Sequence, residues 1–187
     1  RGVLDGVSAR SDADMARVTL IARKSAELGI AALFAAVLDP RIAAIEVDLT
    51  GQVCADQLDG EFYGGIAAQG EFLRGASRSA GGKAIICLAS TADGGASSRV
   101  KVALDAGESV TVARVDVHYV ITEYGIAYLF GKSIRERAIA LIDVAHPAFR
   151  AELFAQAQAK GYIPADQSLK NLRAYPVEEE HTVELKD

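Results

Sequence analysis

The chain has 187 residues, of which 50% are apolar and 24% charged, and its formal net charge is −5. These values are ordinary for one globular domain, and this length can bury a sizeable core without disulfide or metal staples. The acidic balance, without a concentrated basic patch, argues against nucleic-acid binding, and no 18-residue apolar run predicts a membrane span.

The first residues and the two cysteines of the chain bear on its origin and on its compartment. The chain begins with Arg1 rather than Met, which indicates a fragment of a longer polypeptide. No signal peptide is recognised, so we expect a cytoplasmic protein. Cys87 lies in an apolar run and is expected to be a small buried side chain, and a disulfide with Cys54 is not expected in that compartment.

The first forty residues predict two helices. Cap-forming residues at 11–14 precede apolar positions at helical spacing, which predicts a helix over 12–28. The alanine-rich apolar run 30–38 predicts a second, shorter helix that ends at Asp39-Pro40.

Strand patterns begin at residue 44. Residues 44–49 alternate apolar and charged side chains with period 2, which is typical of a half-buried strand. A turn at 50–52 then leads to a return strand at 53–55. The glycine-rich stretch that follows encloses a short predicted helix over 67–74.

Three further strands are predicted. The unbroken apolar run 83–89 predicts a buried strand, 90–98 a glycine- and serine-rich loop, and 100–104 a short strand. Residues 110–122 form the strongest strand pattern, because most of their apolar side chains are β-branched, and Glu123 follows directly. On such a strand the alternating polar residues share one face; they are Arg114, Asp116 and His118.

The next segment predicts helices. Ser133 and Glu136 match a capping box, and an apolar stripe continues to Ala145. Pro147 is suited to the first turn of another helix, which ends near Lys160. Strands interleaved with helices predict an α/β fold with an open sheet, mixed or mainly parallel, flanked by helices.

Three local patterns suggest chemistry. Gly131-Lys132-Ser133 resembles part of a phosphate loop, but five residues separate it from Gly125 where the motif has four, so helix capping is the better interpretation. The glycine-rich segment 62–70 favours close backbone contact with an anion, with a plain tight turn as the alternative. Glu123 follows a strand at the end where α/β proteins place their ligand crevice. No metal-ligand spacing and no Gly-x-Ser-x-Gly motif is present.

A family resemblance is carried by residues 44–53, 63–74, 81–83, 90–92, 116–125, 131–138 and 146–150. Together these segments are similar to the C-terminal domain of the acetyl-CoA hydrolase / acetate–4-hydroxybutyrate CoA-transferase family. The run that ends in Thr122-Glu123-Tyr124-Gly125 is its most specific part. The resemblance covers about residues 43–160.

The resemblance implies an acyl-CoA site at the junction of two related α/β domains. In that family a glutamate attacks the thioester and forms an acyl-glutamyl anhydride, and coenzyme A then gives a glutamyl-CoA thioester. An acceptor carboxylate, or water in hydrolases, completes the cycle. The nucleophile precedes the region present here, so this chain is expected to form one wall of the site, with Glu123 as its catalytic residue.

The resemblance also assigns contacts with coenzyme A to the glycine loop, whose backbone amides help to bind the thioester oxyanion. The family usually has glycine where this chain has Ala67 and Ala68, and often asparagine where it has Ile42. These departures bear on catalytic competence. The residues assigned to binding are Gly65, Ile66, Ala67, Ala68 and Gln69.

The implied partners are acyl-CoA, a small carboxylate and a preceding CoA-transferase N-terminal domain, and a homo-oligomer is compatible with them. No permanent cofactor and no metal are implied. The resemblance divides the chain into a helical segment 1–42, an α/β domain 43–161 and an exit segment or linker 162–187. The alternative, which the alanines at 67 and 68 favour, is a non-catalytic CoA-binding or regulatory module. The tail resembles linkers that lead into an N-acetyltransferase domain in some multidomain bacterial proteins. The isolated chain is expected to be inactive.

Overall fold

A computed structural model of the chain describes residues 45–58, 61–62 and 69–168. The helices expected over 12–28 and 30–38, and the tail beyond residue 168, lie outside these described residues. The strands are β1 Glu46–Asp48, β2 Val53–Cys54, β3 Gln57–Leu58, β4 Glu61–Phe62, β5 Ile85–Cys87, β6 Thr91–Ala92, β7 Ser97–Ser98, β8 Val100–Lys101, β9 Tyr119–Thr122 and β10 Gly125–Tyr128. The α-helices are α1 Gln69–Arg78, α2 Ile134–Val144 and α3 Pro147–Ala159.

Two three-stranded sheets organise the described residues. In the first sheet, ordered β2-β1-β8, β1 is antiparallel to β2 and parallel to β8. In the second sheet, ordered β10-β9-β5, β9 is parallel to β5 and antiparallel to β10. The strand pairs β3–β4 and β6–β7 form small antiparallel ribbons. Mixed sheets flanked by helices confirm the predicted fold class.

One apolar core joins the sheets to the helices. The helix α2 packs on β10 and β9, and α3 packs against α2. Leu141 and Ile142 of α2 are fully buried, as are Val47 in β1 and Val120 in β9. Each such side chain contributes about 1.5–3 kcal/mol of transfer free energy, so these contacts hold the second sheet and its hairpin to the helical layer.

The long strand predicted over 110–122 is wrong. Only Tyr119–Thr122 forms a strand there, while Val112 makes a single bridge to Val53. Between them the Asp116 N–H donates to the Ala113 carbonyl at 2.9 Å and closes a turn. The turn also removes the expected shared face of Arg114, Asp116 and His118. High β-propensity describes side chains suited to a half-buried pleated surface, and it does not reveal that the chain leaves one sheet for another.

Two other expectations about strands need correction. Glu46 and Asp48 were expected on a solvent-facing side of β1, yet they are 3% and 1% exposed because partners cover both faces of that strand. The strand β10 was not predicted, because its four residues include Gly125 and Ala127, which are weak strand formers.

Helix ends follow the predicted local chemistry. Ser133 caps α2, accepting from the Glu136 N–H while the Glu136 side chain accepts from the Ser133 N–H. Pro147 occupies the first turn of α3, and Gly161, with φ +73°, lies just after it. His146 caps α3 through a hydrogen bond to its Nδ1 from the Ala148 N–H. Within the described ranges, no helix is long and apolar enough to cross a bilayer.

Candidate functional site

Glu123 lies at the tip of the β9–β10 hairpin. Thr122 pairs with Gly125, so Glu123 and Tyr124 are the two loop residues, which we call the hairpin tip. Because β5 and β9 are parallel, their carboxyl ends meet at one edge of the second sheet, and the tip extends from that edge. The Glu123 side chain is exposed there. The structure therefore places it at the strand end where the sequence predicted a crevice.

The carboxylate of Glu123 is held by Ser90. The Ser90 N–H donates to Oε2 at 2.9 Å, and the Ser90 hydroxyl donates to Oε1. Ser90 itself is fully buried, three residues past the end of β5. An exposed carboxylate with two fixed donors has a defined orientation while keeping acceptor capacity on each oxygen.

The backbone of the hairpin tip is braced against α2. Thr122 Oγ1 donates to the Val144 carbonyl at 2.5 Å and accepts from the Tyr124 N–H at 3.1 Å. Thr122 is buried, so these are bonds that water does not replace. They connect the last turn of α2 to the residue on each side of Glu123.

An aromatic cluster stands beside the hairpin tip. The Tyr124 ring meets the His146 imidazole edge to face, with centroids 5.3 Å apart. The Arg150 guanidinium lies 5.6 Å from the centre of the Tyr124 ring, in a cation–π arrangement. Arg150 is in turn fixed by donation from Nε to the Ala145 carbonyl at 2.9 Å. The junction of α2 and α3 therefore forms one side of the site.

The signature turn, residues 48–52, is built around Asp48. One carboxylate oxygen accepts from the Thr50 N–H at 2.9 Å, the Thr50 hydroxyl at 2.7 Å and the Gln52 N–H at 3.0 Å. The other accepts from Gln52 Nε2 at 2.7 Å. Every one of these bonds is internal to the turn, and Asp48 is 1% exposed. These side chains shape the backbone and have little left to offer a ligand.

Arg137 of α2 completes the signature turn. Its Nε donates to the Thr50 carbonyl at 2.6 Å, Nη1 to the Leu129 carbonyl at 2.7 Å and Nη2 to the Arg114 carbonyl at 2.7 Å. Burial lowers the pKa of Arg137. The guanidinium passes so close to Gly51 that a Cβ there would lie 2.2 Å from Nη2. Gly51 also has φ +90°, which glycine adopts readily and other residues do not.

An ion cluster centred on Lys101 lies beside the first sheet. Lys101 Nζ is 2.6 Å from Glu46 Oε2, 2.6 Å from Asp105 Oδ2 and 3.0 Å from Glu108 Oε1. Burial raises the pKa of Glu46 to about 7, although the bond from Lys101 works in the opposite direction. Burial alone would lower the pKa of Lys101, but its hydrogen bonds to the carboxylates outweigh that effect and raise it. Lys101 is thereby held as a cation between acidic groups.

The polar residues before β9 have separate roles. Asp116 accepts from Arg74 of α1, with Nη2 at 2.8 Å from Oδ2 and Nε at 3.1 Å from both carboxylate oxygens. The His118 ring packs against Phe130 with centroids 4.3 Å apart and planes tilted by 47°, and burial lowers the pKa of His118. Asp116 is thus engaged as the ion-pair partner of Arg74 in α1.

The predicted glycine loop lies mainly outside the described residues. Gln69 begins α1 and is half-buried, while Gly65, Ile66, Ala67 and Ala68 precede the described segment. The relation between this loop and Glu123 stays a prediction. In the described ranges, no group of three or more His, Cys, Asp or Glu could hold a metal ion. Cys54 and Cys87 are free thiols, and burial raises the pKa of Cys87 to about 12.

Sequence reasoning missed the roles of Ser90 and Arg137. Ser90 was interpreted as the start of a loop, and Arg137 was not singled out within the run 131–138. Ser90 lies in the short segment 90–92 that resembles the family, but nothing local indicates its partner, which is 33 residues away. Arg137 carried a weak signal, since it follows the capping box directly in the run that resembles the family.

The chain matches known proteins over most of the described region. A family model described as acetyl-CoA hydrolase/transferase C-terminal domain matches residues 26–157. The 4-hydroxybutyrate coenzyme A transferase of Clostridium kluyveri is 50% identical over 111 residues, which are 59% of this chain and 26% of that protein. The succinyl-CoA:cyclohexane-1-carboxylate CoA transferase of Geobacter metallireducens is 49% identical over 111 residues, 59% of this chain and 25% of that protein.

A solved structure is also similar to this chain. RipA from Yersinia pestis aligns with a TM-score of 0.59 and 40% identity, over 64% of this chain and 27% of that one. The matched part of this chain thus spans about a quarter of the length of the relatives.

Proposed function

Because this chain belongs to the acetyl-CoA hydrolase/transferase family through its C-terminal domain, we propose that it forms one wall of an acyl-CoA site in a CoA-transferase. Glu123 faces the reacting groups from this wall. The nucleophilic glutamate comes from a preceding domain, which the matched relatives have room for, since this chain spans about a quarter of each. The chain alone is then inactive.

The observation that supports the proposal is the position, exposure and hydrogen bonding of the Glu123 carboxylate. It is exposed at the carboxyl edge of a parallel strand pair, where α/β sheets present their ligand crevices. It has two fixed donors from Ser90 and free acceptor capacity. A purely structural carboxylate would be turned inward, as Asp48 is, whereas Glu123 offers a preorganised charge to a bound group.

In the proposed cycle, the carboxylate of the preceding domain attacks the thioester carbonyl and the coenzyme A thiolate leaves. The thiolate then attacks the glutamyl carbonyl of the resulting anhydride and releases the donor acid, leaving a glutamyl-CoA thioester. An acceptor carboxylate reverses these steps and departs as the new acyl-CoA. Water in place of the acceptor would give hydrolysis. In this proposal the loop 65–69 binds the thioester oxyanion. Glu123 accepts hydrogen bonds from donor groups of the bound substrate or of a partner side chain and thereby orients them.

The substrates proposed are a CoA thioester and a small carboxylic acid. The relatives are named for 4-hydroxybutyrate, and for succinyl-CoA with cyclohexane-1-carboxylate, so their names share a carboxylate and coenzyme A. We keep a cytoplasmic location within the proposal, because the free thiols of Cys54 and Cys87 suit a reducing compartment.

The test is Glu123→Gln in the full-length protein that carries this chain behind its preceding domain. Transfer of coenzyme A from acetyl-CoA to a carboxylate acceptor is followed by chromatography of the acyl-CoA products, with and without acceptor, and free thiol is measured alongside to detect hydrolysis. We expect turnover to fall about 10²-fold, the usual effect of removing a positioned charge from an active site. The melting temperature should stay within a few degrees, because a glutamine side chain can still exchange hydrogen bonds with Ser90.

Glu152→Gln is the matched control, since Glu152 is an exposed glutamate on α3 that accepts a hydrogen bond from Gln156 Nε2. It should leave turnover unchanged. Normal turnover in Glu123→Gln would overturn the catalytic part of the proposal. Binding of coenzyme A by a full-length protein without any turnover would instead support the non-catalytic module.

A further inference from the structure

We propose that Ser90 is the positioning residue for Glu123, fixing the orientation of its carboxylate toward the substrate. The inference rests on the proposed function, in which Glu123 acts on the bound groups. Ser90 then acts through Glu123 and does not touch substrate, because it is fully buried.

Ser90 is itself held on both sides. Its carbonyl accepts from the Arg99 N–H at 2.9 Å, and the Arg99 carbonyl accepts from the Val47 N–H in β1 at 3.0 Å. The Arg99 guanidinium donates from Nε to the Thr91 carbonyl at 3.2 Å. The backbone of Ser90 therefore connects the end of β5 in the second sheet with β1 in the first. Both of its donors point toward Glu123 from a rigid base.

The rest of the hairpin tip is already fixed without Ser90. Thr122 ties the backbone to Val144, and the ring of Tyr124 lies against His146 and Arg150. What these contacts leave free is the Glu123 side chain, whose three torsions would let an exposed carboxylate sample several rotamers. The two Ser90 donors meet both carboxylate oxygens and remove that freedom.

The arrangement predicts different roles for the two residues. Glu123 supplies the charge, and Ser90 supplies its orientation. A small misplacement of a catalytic group lowers the rate much more than it weakens binding of the bulk of the substrate. Loss of the Ser90 hydroxyl should accordingly appear in kcat, with KM nearly unchanged.

The experiment is a double-mutant cycle on the full-length protein with Ser90→Ala, Glu123→Gln and the combined variant, using the acetyl-CoA to carboxylate transfer assay. We expect Ser90→Ala to lower kcat about tenfold, with KM within threefold of wild type. In the Glu123→Gln background the same substitution should change kcat by less than twofold, because there is no charge left to orient. Such non-additivity identifies residues that act as one unit.

Ser109→Ala is the matched control. Ser109 donates from its hydroxyl to Asp56 Oδ1 at 2.5 Å, a serine–carboxylate bond next to the first sheet. Its loss should leave kcat unchanged. Ser90→Cys is included because it keeps a donor at this position, although the S–H group is a much weaker donor than a hydroxyl. It should lower kcat in the same direction as Ser90→Ala.

The outcomes distinguish the positioning role of Ser90 from the proposed function of Glu123. The positioning role is overturned if folded Ser90→Ala and Ser90→Cys have the kcat of the wild type. It is also overturned if Ser90→Ala lowers kcat by the same factor in the wild type and in the Glu123→Gln background. If Glu123→Gln alone retains full turnover, the proposed function of Glu123 fails first, and the positioning role fails with it.

Discussion

The signature turn and the hairpin tip both belong to the part of the chain that resembles one family, yet they use their polar groups in opposite ways. The Asp48 carboxylate accepts four hydrogen bonds, all from its own turn, and Asp48 is 1% exposed. Glu123 is held by one residue and is exposed. A buried, fully satisfied carboxylate fixes the backbone, while an oriented and exposed one can meet a ligand. A strong family signature therefore does not by itself mark a catalytic residue.

The two regions communicate through α2. Arg137 near its start holds the signature turn, and Val144 at its end accepts from Thr122 beside the hairpin tip. The helix thus connects the signature turn to the site proposed at the hairpin tip. Substitutions in the first should change stability, and substitutions in the second should change turnover.

The largest effect is expected for Gly51→Ala in the signature turn. The substitution places a Cβ 2.2 Å from Arg137 Nη2 at a residue with φ +90°. Strain and overpacking together should lower the free energy of unfolding by about 3 kcal/mol, and Tm by roughly 6–12 °C in thermal unfolding. Gly131→Ala is the control, because its φ is +71° but no atom lies within 4 Å of the added Cβ. It should cost about 1 kcal/mol. Equal losses in both variants would contradict the role of Arg137.

Thr122→Val tests the brace at the hairpin tip. It removes the bond to the Val144 carbonyl and the acceptor for the Tyr124 N–H while keeping the side-chain volume. Stability should fall by about 1–2 kcal/mol, and turnover of the full-length protein should also fall. Thr111→Val is the counterpart, since Thr111 Oγ1 donates to the Val53 carbonyl at 3.1 Å beside the first sheet. It should reduce Tm without reducing turnover. A loss of turnover in Thr111→Val as large as that in Thr122→Val would remove the distinction between the regions.

The smallest effect is expected from the ion cluster of the first sheet, and it depends on pH. Burial raises the pKa of Glu46 from 4.5 to about 7, so the folded state binds this proton more tightly than the unfolded state. The stability gained from it is fully present below about pH 4.5 and is lost as pH rises through 7. The Tm of the wild type should therefore fall between pH 5 and pH 8, and this fall should be smaller by a few degrees in Glu46→Gln. The exposed-site variant Glu152→Gln should follow the wild-type curve, and a Glu46→Gln curve parallel to wild type would refute the assignment.

Local sequence predicted the helix ends of the described region well. The capping box at Ser133, the first-turn Pro147 and the stop at Gly161 each act within a few residues, so their chemistry is visible in the sequence. The turn at 50–52 was predicted for the same reason. The run 110–122 was misread, because a single β-rich segment serves the first sheet at Val112 and the second sheet at β9.

The sequence by itself determined the α/β class, the family and the position of Glu123 at a strand end, since these depend on periodicity and on a long specific run of residues. Only the tertiary structure decided which groups meet. Ser90 reaches Glu123 across 33 residues, and Arg137 reaches Thr50 across 87. The physical reason is that a hydrogen bond between distant segments depends on how strands are ordered and how a helix packs on them, and no local pattern encodes that order. Whether a carboxylate becomes a support, like Asp48, or an exposed and oriented charge, like Glu123, is settled at that level.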